Sequence, residues 1–266
     1  MRPAFRKCGE MLFHRPHESN CQEPFTAMSN LNIPSTVLPR TCIPTPKIEE
    51  DSYDWYARHD LKRRAAREHS YDLVFIGDSI THFWSDEDAC THGGAVWHKY
   101  FDHRKALNLG YGFDRTQNVL WRLEHGELAG QHPRAIVLNI GTNQFSRTTK
   151  YSGDSPEEAA AGVLAVIDKL REMCPEARLI VMAILPRGHK DDAYMRPHVD
   201  GLNAILAREL HDRPNLVFLN LKDKFTGPDG ELRAELYRPG DATHLSPAGY
   251  EVWYAALKPC LESLGL

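Results

Sequence analysis

Four short motifs hold the residue types that a nucleophilic attack on a carbonyl needs: a serine, donors for a developing oxyanion, and a histidine with a carboxylate nearby. The first, Gly77-Asp78-Ser79-Ile80, follows the apolar run DLVFIG and precedes a helical turn opening ITHFW. A serine at a strand-to-helix turn is lifted clear of the sheet, and the helix N-terminus offers backbone N–H groups to negative charge. The plainer alternative is that Asp78 or Ser79 only caps the helix. The second, Asn108 to Arg115, carries Gly110-Tyr111-Gly112-Phe113 after another apolar run. Its Gly-x-Gly suits a dinucleotide turn, but the third glycine of that fingerprint would fall at Arg115, so that reading fails and a tight turn is the alternative.

The third, Gly141-Thr142-Asn143, ends the run AIVLNI. A carboxamide there can donate to an oxyanion, against the simpler role of an Asx-turn. The fourth, Asp241-Ala242-Thr243-His244, precedes Leu245-Ser246-Pro247 and the last helical stretch. A catalytic imidazole needs a partner for Nδ1–H so that Nε2 faces the serine, and a carboxylate three residues earlier can supply it. Asp241 could instead shape the turn beside Gly240, and with 14 histidines in the chain most have no role of this kind.

These motifs need a scaffold that brings strand ends together. Short runs rich in Val, Ile and Leu, at 73–76, 106–109, 135–140, 179–185 and 216–221, read as strands buried on both faces. Helical patterns lie between and around them at 53–69, 119–128, 156–173, 197–210 and 247–261. Ser155-Pro156 supplies an N-cap followed by proline at N1. In the 53–69 helix Trp55 and Tyr56 are expected to pack inward, and Trp121 to join the core; His82, Phe83 and Trp84 lie within two turns of Ser79, so at least one is expected in the pocket wall. Such βαβ repetition predicts a parallel sheet covered by helices, with ligands bound beyond the carboxyl ends of the strands.

Residues 1–50 hold seven prolines and no apolar period. They are expected to be extended or disordered and dispensable for activity, with one catalytic domain over 51–266. A formal charge of −4, from 32 basic and 36 acidic residues, argues against a nucleic-acid partner. No apolar stretch is long enough for a membrane span, and the N-terminus lacks a secretory h-region, so a cytoplasmic location is expected. The six cysteines, Cys8, Cys21, Cys42, Cys90, Cys174 and Cys260, have no zinc-ligand spacing and read as reduced thiols.

In order and content the four motifs resemble the SGNH or GDSL hydrolases, whose blocks carry Ser, Gly, Asn and His, over about residues 72–261. Within that family, ALNLGYGFDRTQNVLWRLEHGEL, VLNIGTNQ and AILPRG look closest to the branch of platelet-activating-factor acetylhydrolase catalytic subunits and related bacterial esterases. The resemblance implies a flavodoxin-like three-layer α/β/α sandwich with a central parallel sheet of about five strands, and ester hydrolysis with no cofactor and no metal. It implies Ser79 as nucleophile, Asp241 and His244 completing the triad, and an oxyanion hole built from the Ser79 N–H, the Asn143 side chain and a backbone N–H near Gly112 and Phe113. The family usually has glycine just before the aspartate of the second block, where this chain has Phe113. A small-molecule ester is the expected partner, acetylated carbohydrate first and lipid esters behind; a homo-oligomer stays open. Two rivals differ in kind: a non-catalytic flavodoxin-like ligand-binding protein, and a metal-dependent hydrolase using His189, Asp191, Asp192 and His198, whose setting reads rather as a solvated loop.

Overall fold

The computed structural model describes residues 38–85 and 92–266. Cys8, Cys21, Cys90 and the prolines up to Pro34 lie outside the described residues. Five strands, β1 (Leu73–Gly77), β2 (Ala106–Gly110), β3 (Ala135–Asn139), β4 (Arg178–Met182) and β5 (Leu216–Leu219), form one sheet in the order β2-β1-β3-β4-β5. All four pairings are parallel. This is the flavodoxin-like order, whose direction of travel reverses between β1 and β3 and leaves a crevice at their carboxyl ends.

Period-two alternation sorts the strand residues between two cores. Val74, Ile76, Ile136, Leu138, Leu179 and Val181 face one side, against α1 (Trp55–Glu68), α4 (Thr116–Glu124), α5 (Pro156–Met173) and α6 (Met195–Glu209). Leu73, Phe75, Val137, Ile180 and Met182 face the other, against α3 (Gly94–Phe101) and α8 (Pro247–Ser263). Two short helices, α2 (Ser79–His82) and α7 (Lys222–Phe225), follow β1 and β5 directly. The first turn of α5 is set by a capping box, Ser155 accepting from Glu158 N and Glu158 accepting from Ser155 N.

Two expectations need correction, and one helix is added. Tyr56 is exposed, because the inward face of α1 is carried by Trp55, His59 and Ala66 at helical spacing. The edge strand β5 is only partly buried, lacking a neighbour on one side. The helix α3 adds to the expected pattern, being short and opening on Gly94 directly after Gly93.

The boundary at residue 50 also shifts. Residues 38–50 are largely extended, yet they form a strap fastened to the domain mainly through polar and main-chain groups, which leave no apolar period in the sequence. Thr116 Oγ1 donates to Thr41 O at 2.7 Å, and Thr45 N to Gln117 O at 3.0 Å. Asn118 Nδ2 donates to Pro46 O at 2.8 Å, and Glu49 lies 2.9 Å from the buried Arg115 guanidinium. Thr41 and Cys42 are themselves buried. Deleting 38–50 is therefore expected to cost folded, soluble protein, contrary to the dispensability expected from composition. Glu49→Gln, which strands a buried arginine, should lower stability by about 3 kcal/mol in urea denaturation. An unaltered midpoint would mean that the ion pair contributes nothing.

Candidate active site

Loops from β1, β2 and β3 open side by side at the carboxyl edge of the sheet, because Gly77 is in register with both Gly110 and Asn139. After β1, Asp78 caps α2 by accepting from Ile80 N at 2.9 Å, and Ser79 is the first helical residue. The capping role thus belongs to Asp78 and leaves the Ser79 hydroxyl available. Burial pushes the Asp78 carboxyl up to about 7. The loop before α8 crosses from the other end of the chain and brings His244 Nε2 to 2.9 Å from Ser79 Oγ.

His244 Nδ1 lies 2.6 Å from Asp241 Oδ2, while Asp241 Oδ1 accepts from Thr243 N at 2.8 Å and His244 N at 3.1 Å. Asp241 therefore shapes the turn and orients the imidazole at once. Burial opposes its ionisation, but the hydrogen bonds from His244 and Thr243 outweigh that and hold the carboxyl below its usual range. A carboxylate only accepts, so Nδ1 carries the ring proton and Nε2 is the acceptor facing Ser79. Phe83 lies beside the His244 ring, 5.1 Å between centroids, and stacks on His92 at 4.2 Å. It walls the site, whereas Trp84 is fully buried in the core.

Across the crevice, Asn143 sits in a single 3-10 turn after β3, 6% exposed, with Nδ2 donating to Asp114 O at 3.1 Å. Its other amide hydrogen remains for a ligand. Residues 111–114 form a turn closed by Asp114 N donating to Tyr111 O at 3.2 Å, with Phe113 at φ 59°. The Gly112 N–H is directed to His82 Nδ1 at 3.3 Å. The N–H groups of Ser79 and Phe113 donate to no acceptor among the described residues. Of the two second-block candidates, Phe113 is thus the one with a donor to give.

Several residues that hold this arrangement had no assigned role in the sequence. Arg115 is buried and donates from Nε to Asn143 O at 3.0 Å. Arg187, from the AILPRG stretch, braces the Asn143 turn through Thr142 O and Oγ1, at 3.2 and 3.1 Å. The 189–198 segment is used locally: Asp192 Oδ1 accepts from Tyr194 N and Met195 N at 3.0 and 2.7 Å, and His198 Nδ1 lies 2.6 Å from Tyr194 O. Among the described residues no group of three His, Cys, Asp or Glu is arranged to hold a metal ion, and no helix is long and apolar enough to cross a membrane.

A family model for the GDSL-like lipase/acylhydrolase family matches residues 75–252, which include the Ser79, Asn143 and His244 loops. The chain belongs to that family. It is 31% identical over 211 residues to platelet-activating factor acetylhydrolase IB subunit alpha1 of Rattus norvegicus, covering 79% of this chain and 83% of the relative. It is 30% identical over 196 residues to the alpha2 subunit of the same species, covering 74% and 78%. Among solved structures, a putative platelet activating factor from Streptococcus pneumonia superposes with a TM-score of 0.61 at 22% identity, over 77% of this chain and 94% of that one. An acetyl xylan esterase superposes with a TM-score of 0.58 at 18% identity, over 73% and 100%. This GDSL-family protein is a carboxylic ester hydrolase with a three-layer α/β/α fold, and the non-catalytic binding protein of the same fold is set aside.

His82 gives the site a pH signature. Burial, then the positive charges of Arg58 and Lys62 and the nearby His92, hold its ring down to about 3, against an ordinary value near 6.5. Between these values the unfolded chain binds a proton at this position that the folded chain refuses. Its contribution is therefore complete above about 6.5 and declines as pH falls through the window. His82→Asn, whose amide oxygen can accept the same N–H without titrating, should flatten the fall in urea midpoint between about pH 6.5 and 4. An unchanged slope would show that His82 does not titrate on unfolding.

Proposed function

We propose that the protein is a serine esterase for short-chain, chiefly acetyl, esters, using Ser79, His244 and Asp241 as its triad. Ser79 Oγ attacks the ester carbonyl as its proton passes to His244 Nε2; Asp241 holds the resulting imidazolium. The oxyanion is met by the N–H of Ser79 at the start of α2, the N–H of Phe113 and the Asn143 amide. His244 returns the proton to the leaving alcohol, giving an acyl-enzyme and free alcohol. Water then gives its proton to His244 and attacks the acyl carbon, and the carboxylic acid leaves as Ser79 is reprotonated. The 2.9 Å contact of Ser79 Oγ with an imidazole whose far nitrogen is fixed by a carboxylate carries this assignment.

The acetyl preference draws on the relatives at 30–31% identity, which are acetylhydrolase subunits by name. For the alcohol, acetylated carbohydrate is proposed first and a lipid acetyl ester second. A panel of p-nitrophenyl esters of rising chain length, run beside acetylated xylo-oligosaccharides and an acetylated ether lipid, tests both halves. Loss of rate beyond the acetyl and propionyl members supports the short acyl site, whereas rates that rise with chain length would reject it.

Ser79→Ala should abolish hydrolysis of p-nitrophenyl acetate in a folded protein, and near wild-type turnover would sink the proposal. His244→Ala should remove most of the activity in a folded protein. Asn143→Ala should lower kcat by about 10²- to 10³-fold with little change in KM. Phe113→Gly, which keeps the N–H and removes only the ring, should retain the chemical step; a folded but inactive Phe113→Gly protein would count against a main-chain role at 113.

A further inference from the structure

The hole donor assigned to Phe113 sits where its own residue type disfavours it. In the 111–114 turn, Gly112 is not among the residues with positive φ, while Phe113 at the third position has φ 59°. That is the pattern of a type II turn, which favours glycine at the third position because a Cβ there is strained. Type I and type II turns differ by a flip of the central peptide unit, and a phenylalanine at the third position favours type I. Here the central unit is Gly112 C=O with Phe113 N–H, one rigid trans plane whose two polar ends point in opposite directions. A flip would carry the N–H away from the crevice.

The Gly112 carbonyl is held from outside the loop. Tyr53 Oη donates to Gly112 O at 3.2 Å. Burial, followed by the nearby Asp114 carboxylate, raises the Tyr53 ionisation far above its usual range, so the hydroxyl stays a donor. The ring stands edge-on to His82, 5.0 Å between centroids, and His82 in turn receives the Gly112 N–H. Tyr53 is placed from behind by its neighbours: Asp54 caps α1 through Ala57 N at 3.0 Å, and Trp55 Nε1 donates to Asp114 Oδ1 at 2.7 Å. The approach is close enough that a Cβ on Gly112 would press on the Tyr53 ring and require the Asp51 carboxylate to turn aside.

We propose that Tyr53 is a positioning residue of the oxyanion hole, its hydroxyl locking the Gly112–Phe113 peptide so that the Phe113 N–H faces the reacting carbonyl; this rests on the donor assignment made in the proposed function. Its contribution is to the transition state, because the charge on the oxyanion develops there. Substrate binding depends on it little.

The test is a cycle on p-nitrophenyl acetate hydrolysis. Tyr53→Phe, which removes only the hydroxyl, should lower kcat by about 5- to 10-fold, the scale of one lost hydrogen bond, with KM within about twofold. Phe113→Gly removes the bias toward the flipped turn, so adding Tyr53→Phe to it should cost less than about twofold. A merely structural tyrosine would cost the same in both backgrounds. Wild-type kcat in Tyr53→Phe, or equal losses in the two backgrounds, would overturn the proposal. A third protein, in which the residue at 113 is incorporated as its α-hydroxy acid, replaces that N–H by an ester oxygen and tests the hole itself. A fall of about 10²-fold or more supports the donor assignment, and with a silent Tyr53→Phe it rejects the tyrosine alone. Full activity in the ester protein rejects the donor assignment and the tyrosine with it.

Discussion

Arg122 is fully buried between two carboxylates, Asp114 and Glu127, and the second-block loop is built around it. Its guanidinium donates to Asp114 Oδ2 and Leu109 O, and it lies 3.9 Å over the Tyr111 ring, whose hydroxyl donates to Glu127. Burial still raises Asp114, to about 6, while for Glu127 the arginine and its other partners outweigh burial and lower it. The two carboxylates thus move in opposite directions although both are paired with one cation. Each carboxylate has a further donor, Trp55 Nε1 for Asp114 and the Tyr111 hydroxyl for Glu127, but Glu127 alone also lies 3.6 Å from His59 Nδ1. Losing one member of such a set leaves an uncompensated buried charge, so the loop has one well-defined position and little freedom to drift.

The strap extends that constraint to the far side of the same loop. Its carbonyls meet the side chains of Thr116 and Asn118, and Glu49 meets Arg115, which also holds the Asn143 carbonyl. The second and third blocks are consequently tied to each other and to a segment that precedes the first strand. A crevice between loops, which by themselves would be mobile, becomes a preorganised donor array.

The sheet and its two apolar faces were legible in the sequence because buried parallel strands and amphipathic helices leave periodic signals. Ser79, Asn143, Asp241 and His244 were legible because each lies in a compact motif with glycine, proline or a cap beside it. In two of these motifs the plainer role is compatible with the proposed chemical one: Asp78 caps the helix that carries Ser79, and Asp241 closes the turn that carries His244. The strap was not legible, because it meets Thr116 and Asn118, some 70 residues away, through its own main-chain carbonyls, which impose no period on its side chains. Tyr53 gave no sequence signal, and His82 was legible only as one of three neighbours of Ser79 expected to include a pocket-wall residue, since each meets the backbone of Gly112 rather than another side chain.

The Ser79–His244 contact joins positions separated by 165 residues, across almost the whole domain. Closing so long a span costs chain entropy that this one contact does not repay, so the contact depends on the rest of the fold. With the last loop undocked, Ser79 would have no imidazole within hydrogen-bond reach and would keep the feeble nucleophilicity of an ordinary serine. On the proposed triad, ester hydrolysis requires both ends of this span to be docked, so activity is expected to report on complete tertiary folding more stringently than helix content does.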